Sequence, residues 1–263
     1  MFATDRELPI TGGPGKRAYV QGMFRSIAPR YDFLNHLLSA NLDRRWRRLT
    51  VDRLDWERAP GGTYLDVCAG TMDLAAELGN RSGFVGWVIG ADFAQEMLML
   101  GRGKSSRAVP CNADALALPF GGRSFDGATV GFGIRNLVDL DAGLREVARV
   151  LKPGARLVIL EFTTPAWQPL RGLYLSYFRR VLPLVGRVIS KHRDAYSYLP
   201  ASVLAFPEPP ELAQRMQAAG FDEVAYTRLF GGVCAIHWGS REEGRGRREE
   251  PKLVPPSSLL PLP

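Results

Sequence analysis

The chain has 263 residues, 46% of them hydrophobic, with 34 Lys and Arg against 27 Asp and Glu and a formal net charge of +7 at pH 7. That length supports one large domain with a sizeable core, and no apolar run approaches the roughly 18 residues a membrane-crossing helix needs. The three cysteines, Cys68, Cys111 and Cys234, are too widely spaced for a disulfide framework or a metal site and fit a reducing compartment. The opening segment MFATDRELPITGG lacks the apolar centre of a secretory signal, so the expected location is cytoplasmic. The positive balance fits nucleic acid, an anionic membrane or a merely solvated surface, and charge alone does not choose.

Residues 1–15 read as a loose arm, broken by Pro9, Gly12, Gly13, Pro14 and Gly15. Residues 16–58 read as helical, with Trp46, Leu49 and Leu54 forming an apolar stripe among Arg44, Arg45, Arg47 and Arg48. After Pro60-Gly61-Gly62 the pattern changes. Short apolar runs at 63–67, 87–92, 107–111, 125–132 and 155–162 alternate with helical stretches at 72–78, 95–100 and 139–150. Lys152-Pro153-Gly154 marks a sharp turn before the fifth run. The alternation predicts a mostly parallel sheet with helices on both faces, whose ligand would sit outside the carboxyl ends of the strands. Residues 163–206 interrupt it. A helix over 208–219, closed by Gly220, and strands at 223–229 and 232–238 complete a domain of residues 16–240. The tail 241–263 mixes charge with proline and reads as disordered.

The first run ends in Asp66-Val67-Cys68-Ala69-Gly70-Thr71-Met72-Asp73. An acid at a strand end, followed by a glycine turn into a helix, is a nucleotide-binding arrangement. Glycine allows the close approach, and the helix start presents N–H groups suited to a carboxylate. By itself this signal is weak, since one glycine of the usual set remains and a plain strand-to-helix turn explains it too. The second run ends in Asp92, placed to accept ribose hydroxyls, and the third in Asn112-Ala113-Asp114, near where an adenine would lie. Three polar strand ends fit one adenosine-bearing ligand.

Six ordered motifs then make the chain recognisable: Tyr31-Asp32-Phe33-Leu34-Asn35 through Trp46, DVCAGT at 66–71, NADALALPF at 112–120, FGIRN at 132–136, RVLKPGARLVILEFTTP at 149–165 and DAYSYLPASV at 194–203. Together they resemble the ubiquinone/menaquinone biosynthesis C-methyltransferase family over roughly residues 16–240. The resemblance implies a Rossmann-like α/β fold with a mostly parallel seven-stranded sheet, S-adenosyl-L-methionine as donor and a polyprenylated quinol as acceptor. It places cofactor contacts at Thr71, Asp92, Asn112 and Ala113, beside the Asp66 and Gly70 read from the turn. It assigns quinol handling to Arg135, Asn136 and Tyr31. Three positions depart from the family pattern: Met72 stands where glycine is usual, Asp43 where histidine is frequent and Gly131 where a serine often stands. A side chain at position 72 is expected to crowd the methionine end of the cofactor.

Ring C-methylation needs in-line alignment of donor and acceptor and loss of a proton. It needs no metal. An arginine beside the cofactor can stabilise a developing phenolate, although Arg135 could equally pair with an acid such as Asp139, and Tyr31 could simply pack. His36 and His237 read as structural, and His192 as a candidate ring contact. Residues 170–191 combine Leu170, Leu173, Tyr174, Tyr177 and Phe178 at helical spacing with Arg171, Arg179, Arg180, Arg187 and Lys191 and no acid. They read as an interfacial segment or as a buried cap with a wet arginine face. Together with the arginine-rich helix at 44–53, they suggest peripheral contact with the inner face of the cytoplasmic membrane. A homodimer stays open. A nucleic-acid methyltransferase is disfavoured, since no Asn/Asp-Pro-Pro-aromatic run and no appended RNA-binding module are present. A benzoquinol acceptor and a catalytically silent cofactor-fold protein are the remaining alternatives.

Overall fold

The computed structural model describes residues 14–28, 39, 41–177 and 193–243. Two helices precede the sheet, α1 (Pro14–Ile27) and α2 (Leu42–Asp52). The alternating core follows: β1 (Thr63–Val67), α3 (Asp73–Gly79), β2 (Trp87–Asp92), α4 (Gln95–Gly101), β3 (Ala108–Asn112), β4 (Phe125–Gly131), α5 (Leu140–Val150) and β5 (Leu151–Phe162). Then come α6 (Gln168–Ser176), α7 (Arg193–Ala205), α8 (Pro209–Ala218), β6 (Phe221–Leu229) and β7 (Cys234–Arg241). The seven strands form one sheet in the order β3-β2-β1-β4-β5-β7-β6. β1 to β5 pair in parallel, and β7 runs antiparallel to both β5 and β6.

Strand period decides which core each residue enters, because successive side chains leave opposite faces. Leu65, Val67, Ala128, Val130, Leu157 and Ile159 enter one cluster with Leu144 and Val147 of α5 and Leu212 and Met216 of α8. Tyr64, Val88, Val158, Leu160 and Ile236 enter the other, with Trp46 and Val51 of α2 and Leu74 and Leu78 of α3. Both faces are covered, so the central strands read as continuous apolar runs. A third, small cluster joins Tyr174 of α6 and Val203 of α7 to Met23 and Ile27 of α1.

Two local expectations are corrected. Lys152-Pro153-Gly154 lies inside β5 rather than before it. Phe125 pairs with Leu151 but Gly127 pairs with Arg156, so the tripeptide forms a bulge, with Gly154 at φ +74°. Met72 does not begin α3 but caps it, in the left-handed region at φ 61° and ψ 29°. Its side chain is fully buried and lies against Gly90 and Gly101. A Cβ at Gly90 would meet the Met72 Cε at 3.0 Å, and one at Gly101 the Met72 Cβ at 2.8 Å. The two glycines make the room that Met72 fills.

Replacing Met72 with glycine relieves left-handed strain of about 1–2 kcal/mol but empties a buried site whose truncation costs about 2–5 kcal/mol. The expected result for Met72→Gly is a net loss of about 1–3 kcal/mol in urea unfolding. A gain in stability would show that the backbone conformation outweighs the packing.

Candidate functional site: the strand ends

β1, β2 and β4 end side by side, and the chain after β1 winds tightly. Cys68, Gly70 and Met72 all take positive φ, which brings backbone rather than side chain to the strand tips. Asp92, the last residue of β2, fixes this turn. Its Oδ2 accepts the Gly70 N–H at 2.8 Å and its Oδ1 the Ala94 N–H at 2.7 Å. Burial pushes the Asp92 carboxyl pKa up, against backbone N–H bonds that pull it down. The Asn112 side chain and the Ala113 N–H both donate to the Asp92 carbonyl, at 3.1 and 3.0 Å. Asp66 does a different job. It is enclosed and accepts the Ala75 N–H and the Thr129 hydroxyl, tying β1 to α3 and β4. Burial raises its pKa to about 7.

Two adjoining clefts open here, with volumes of about 410 and 360 Å³ counting their mouths, and share Cys68, Gly70, Gly131 and Phe132. The first is also lined by Phe24 of α1 and by Asp92, Phe93, Met97, Asn136 and Leu137. The second adds Arg47, Asp66, Thr71 and Asp73. Met72 lines neither, so the expectation that it crowds the cofactor is overturned: its left-handed backbone turns the side chain into the core. The Cys68 thiol is held well above its ordinary pKa by burial and by Asp92, Asp66 and Glu161, which leaves it protonated and a poor nucleophile.

The turn after β4, Ile134–Asn136, carries the FGIRN pair. Arg135 does not pair with Asp139, which instead caps α5 by accepting the Ala142 N–H. Its Nη1 donates to Glu161 Oε1 at 2.8 Å and to the Phe132 carbonyl, and the guanidinium lies 5.7 Å from the Phe162 ring centroid. Asn136 lines the first cleft and accepts from the Tyr198 hydroxyl at 3.2 Å. Lys16 of α1 donates to the carbonyls of Arg135 and Leu137 at 3.1 and 2.8 Å.

The structure therefore brings Asp66, Gly70, Thr71, Asp92 and Asn136 to the clefts, sets Asn112 and Ala113 against the Asp92 backbone, and holds Arg135 behind the Phe132 wall. Tyr31, His36 and His192 lie outside the described residues, as do Phe178 and all the basic residues cited from 179 to 191. His237 is structural as expected: it is buried, its Nε2 lies 3.1 Å from the Pro209 carbonyl oxygen, and burial lowers its pKa to about 4. Sequence reasoning missed Arg47 and Glu161. Arg47, read as part of a surface stripe, is turned inward between Asp43 and Asp73 and borders Gly70 and Thr71 in the second cleft. The signal was there in the i, i+4 spacing of Asp43 and Arg47.

The strand order, with clefts at the central strand ends, is that of the Rossmann-like methyltransferase fold. A solved S-adenosylmethionine-dependent methyltransferase from Thermotoga maritima, titled a possible histamine N-methyltransferase, matches with a TM-score of 0.58 at 18% identity, over 84% of this chain and 99% of that one. The [4+2]-cyclase SpnF matches with a TM-score of 0.64 at 16% identity, over 89% and 99%. Likeness at this level shows the fold alone, and the cyclase shows that the fold does not dictate the reaction. Sequence is more specific. The profile of the ubiE/COQ5 methyltransferase family matches residues 14–241, and the chain belongs to that family. A demethylmenaquinone methyltransferase from Thermus thermophilus is 50% identical over 223 residues, 83% of this chain and 100% of that one. A protein from Geobacter sulfurreducens named ubiquinone/menaquinone biosynthesis C-methyltransferase is 41% identical over 247 residues, 90% and 94% of the two chains. The protein is accordingly an S-adenosylmethionine-dependent methyltransferase.

Asp66 gives the site a pH signature. Its pKa rises on folding from 3.8 to about 7, so between those values the folded chain binds more protons there than the unfolded chain, and stability falls as pH rises. Thermal melts from pH 4 to pH 8 should show Asp66→Asn losing part of the decline that the parent protein shows. Parallel curves would mean that the carboxylate is stabilised by its Ala75 and Thr129 partners at neutral pH.

Proposed function

We propose that the protein transfers a methyl group from S-adenosylmethionine to a ring carbon of a polyprenylated quinol, with demethylmenaquinol as the acceptor. The observation that carries this reading is the juxtaposition of the Asp92 cleft with the Arg135-Asn136 turn, in a chain half identical to a demethylmenaquinone methyltransferase along that relative's whole length. The donor groups fit the cofactor. Asp92 accepts the ribose hydroxyls, Asn112 and Ala113 border the adenine, and Gly70 and Thr71 receive the methionine end, where Arg47 supplies a cation for its carboxylate. Asp66 acts from behind, by bracing the turn.

The cofactor supplies an electrophilic methyl group on a sulfonium sulfur. The protein's part is to hold the quinol ring in line with it and favour the phenolate form, which makes the ring carbon more nucleophilic. A carbon–carbon bond forms as a carbon–sulfur bond breaks, and the ring C–H proton leaves as aromaticity returns. Arg135 stabilises the phenolate oxygen and Asn136, steadied by Tyr198, orients the ring. Tyr31, in the first motif, completes the acceptor contacts. The stretch 163–206 is the substrate-side and membrane-facing part of the chain. In support, α6 turns Tyr174 inward but leaves Leu173 exposed, as is Trp167 just before the helix, at 69% and 68%. That pair can enter the membrane interface where the prenyl tail resides. No helix among the described residues is long and apolar enough to cross a membrane, so contact would be peripheral.

Purified protein should methylate demethylmenaquinol, and cells lacking it should accumulate the demethylated naphthoquinone by mass analysis. Accumulation of a demethylated benzoquinone would move the acceptor to the ubiquinone route. Arg135→Gln should lower kcat by about 10²- to 10³-fold, the usual loss on removing an anion-stabilising donor, with affinity for S-adenosylhomocysteine nearly unchanged; undiminished turnover would remove Arg135 from the chemistry. Trp167→Ser with Leu173→Ser should weaken sedimentation with anionic vesicles while leaving turnover of a short-chain soluble quinol intact. Equal sedimentation of parent and variant would place the membrane contact elsewhere.

A further inference from the structure

Glu161 is the one acidic side chain in the apolar run Leu157–Phe162. It is fully buried, the penultimate residue of β5 before Phe162, and its side-chain hydrogen bonds go to Arg135 and the Phe162 N–H. Oε1 accepts Arg135 Nη1 at 2.8 Å and the Phe162 N–H at 2.9 Å, and Oε2 accepts the Arg135 backbone N–H at 3.4 Å. A buried carboxylate with no counter-charge costs several kcal/mol, and burial pushes the Glu161 pKa up while Arg135 pulls it down. The pair is thus mutually dependent, yet a structural salt bridge alone does not explain its asymmetry. Glu161 has its oxygens engaged. Arg135 has only Nη1 bonded among the described residues, and its Nε is buried without a partner. Buried donors are ordinarily satisfied, so an open donor on the residue next to Asn136, which lines the first cleft, points to a group that arrives from outside.

The backbone of the turn is held by more than the long Arg135 N–H bond to Glu161. Lys16 grips the carbonyls of Arg135 and Leu137, and the Asn136 N–H closes the turn on the Gly133 carbonyl at 3.0 Å. What Glu161 adds is the direction of the guanidinium. We infer that Glu161 is a positioning residue of this methyltransferase: it takes Nη1 so that the Nε and Nη2 donors of Arg135 are presented to the quinol oxygen in one fixed orientation. Its negative charge has a second effect. It offsets the Arg135 cation in the chamber, so the phenol is not held as phenolate before the ring is aligned.

This inference rests on the proposed quinol methylation and is tested separately from it. In Glu161→Asp the charge stays but the reach shortens by one methylene. The expected outcome is a fall in kcat of about tenfold or more, a quinol KM within about threefold, and unchanged calorimetric affinity for S-adenosylhomocysteine. In Glu161→Gln the unopposed guanidinium should also move the acid limb of kcat, which reports the enzyme–substrate complex, to lower pH. A double-mutant cycle completes the test: adding Glu161→Gln to Arg135→Gln should cost no further turnover, since the residue acts through Arg135. Additive losses in the cycle, or parent-like kcat in Glu161→Asp, would overturn the inference. If either single variant melts below the assay temperature, the cycle is read with Glu161→Asp at a lower temperature, with folding followed by circular dichroism. Absence of quinol turnover by the unaltered protein would instead overturn the proposed acceptor.

Discussion

The parallel sheet, covered on both faces, is the constraint from which the rest of the molecule follows. The central parallel strands β1, β4 and β5 are covered on both faces, so their side chains are largely apolar on both sides and polar chemistry gathers at the strand ends. Asp66, Asp92, Asn112, Arg135 and Glu161 all stand at or near those ends. Each is held there by backbone N–H groups, carbonyls or a partner charge that the loops supply. The site is where the covered sheet runs out.

Such a site must solve a problem of buried charge. Asp92 solves it with backbone N–H groups at Gly70 and Ala94, which leave the carboxylate on the cleft wall. Asp66 solves it in part with Ala75 and Thr129, and in part by holding its proton to higher pH. Arg135 and Glu161 solve it by pairing. Arg47 sits between two aspartates, Asp43 from its own helix and Asp73 from the start of α3, and so links α2 to the turn after β1. The chemistry proposed for the quinol draws on these fixed charges, which need not reorganise when the ring loses its proton.

The helices outside the sheet complete the enclosure. α1 brings Phe24 to the cleft and Lys16 to the Arg135 turn, and fastens itself by ion pairs of Arg17 with Asp114 and Arg25 with Glu96. α6 and α7 pack with it in a small apolar cluster of their own. This layer therefore reaches both the first cleft and the Arg135 turn, and Trp167 and Leu173 are exposed on its outside.

The sequence alone determined the alternation of strands and helices, because short continuous apolar runs and breaker residues are local properties that survive without neighbours. It determined the family through six ordered motifs, and it marked Gly70, Thr71, Asp92 and Asn136 at the strand ends where the clefts open. Tertiary structure decided what local pattern cannot encode: which way a side chain leaves a turn, and which charge lies opposite another. Met72 looked like an obstruction until a left-handed backbone, with glycines at 90 and 101 beside it, sent it into the core. Arg47 looked like surface until Asp73, far along the chain, faced it. Arg135 looked free to pair with nearby Asp139, and instead met Glu161 on the adjacent strand β5, since a buried guanidinium takes the counter-charge that the packed sheet delivers rather than the one nearest in sequence.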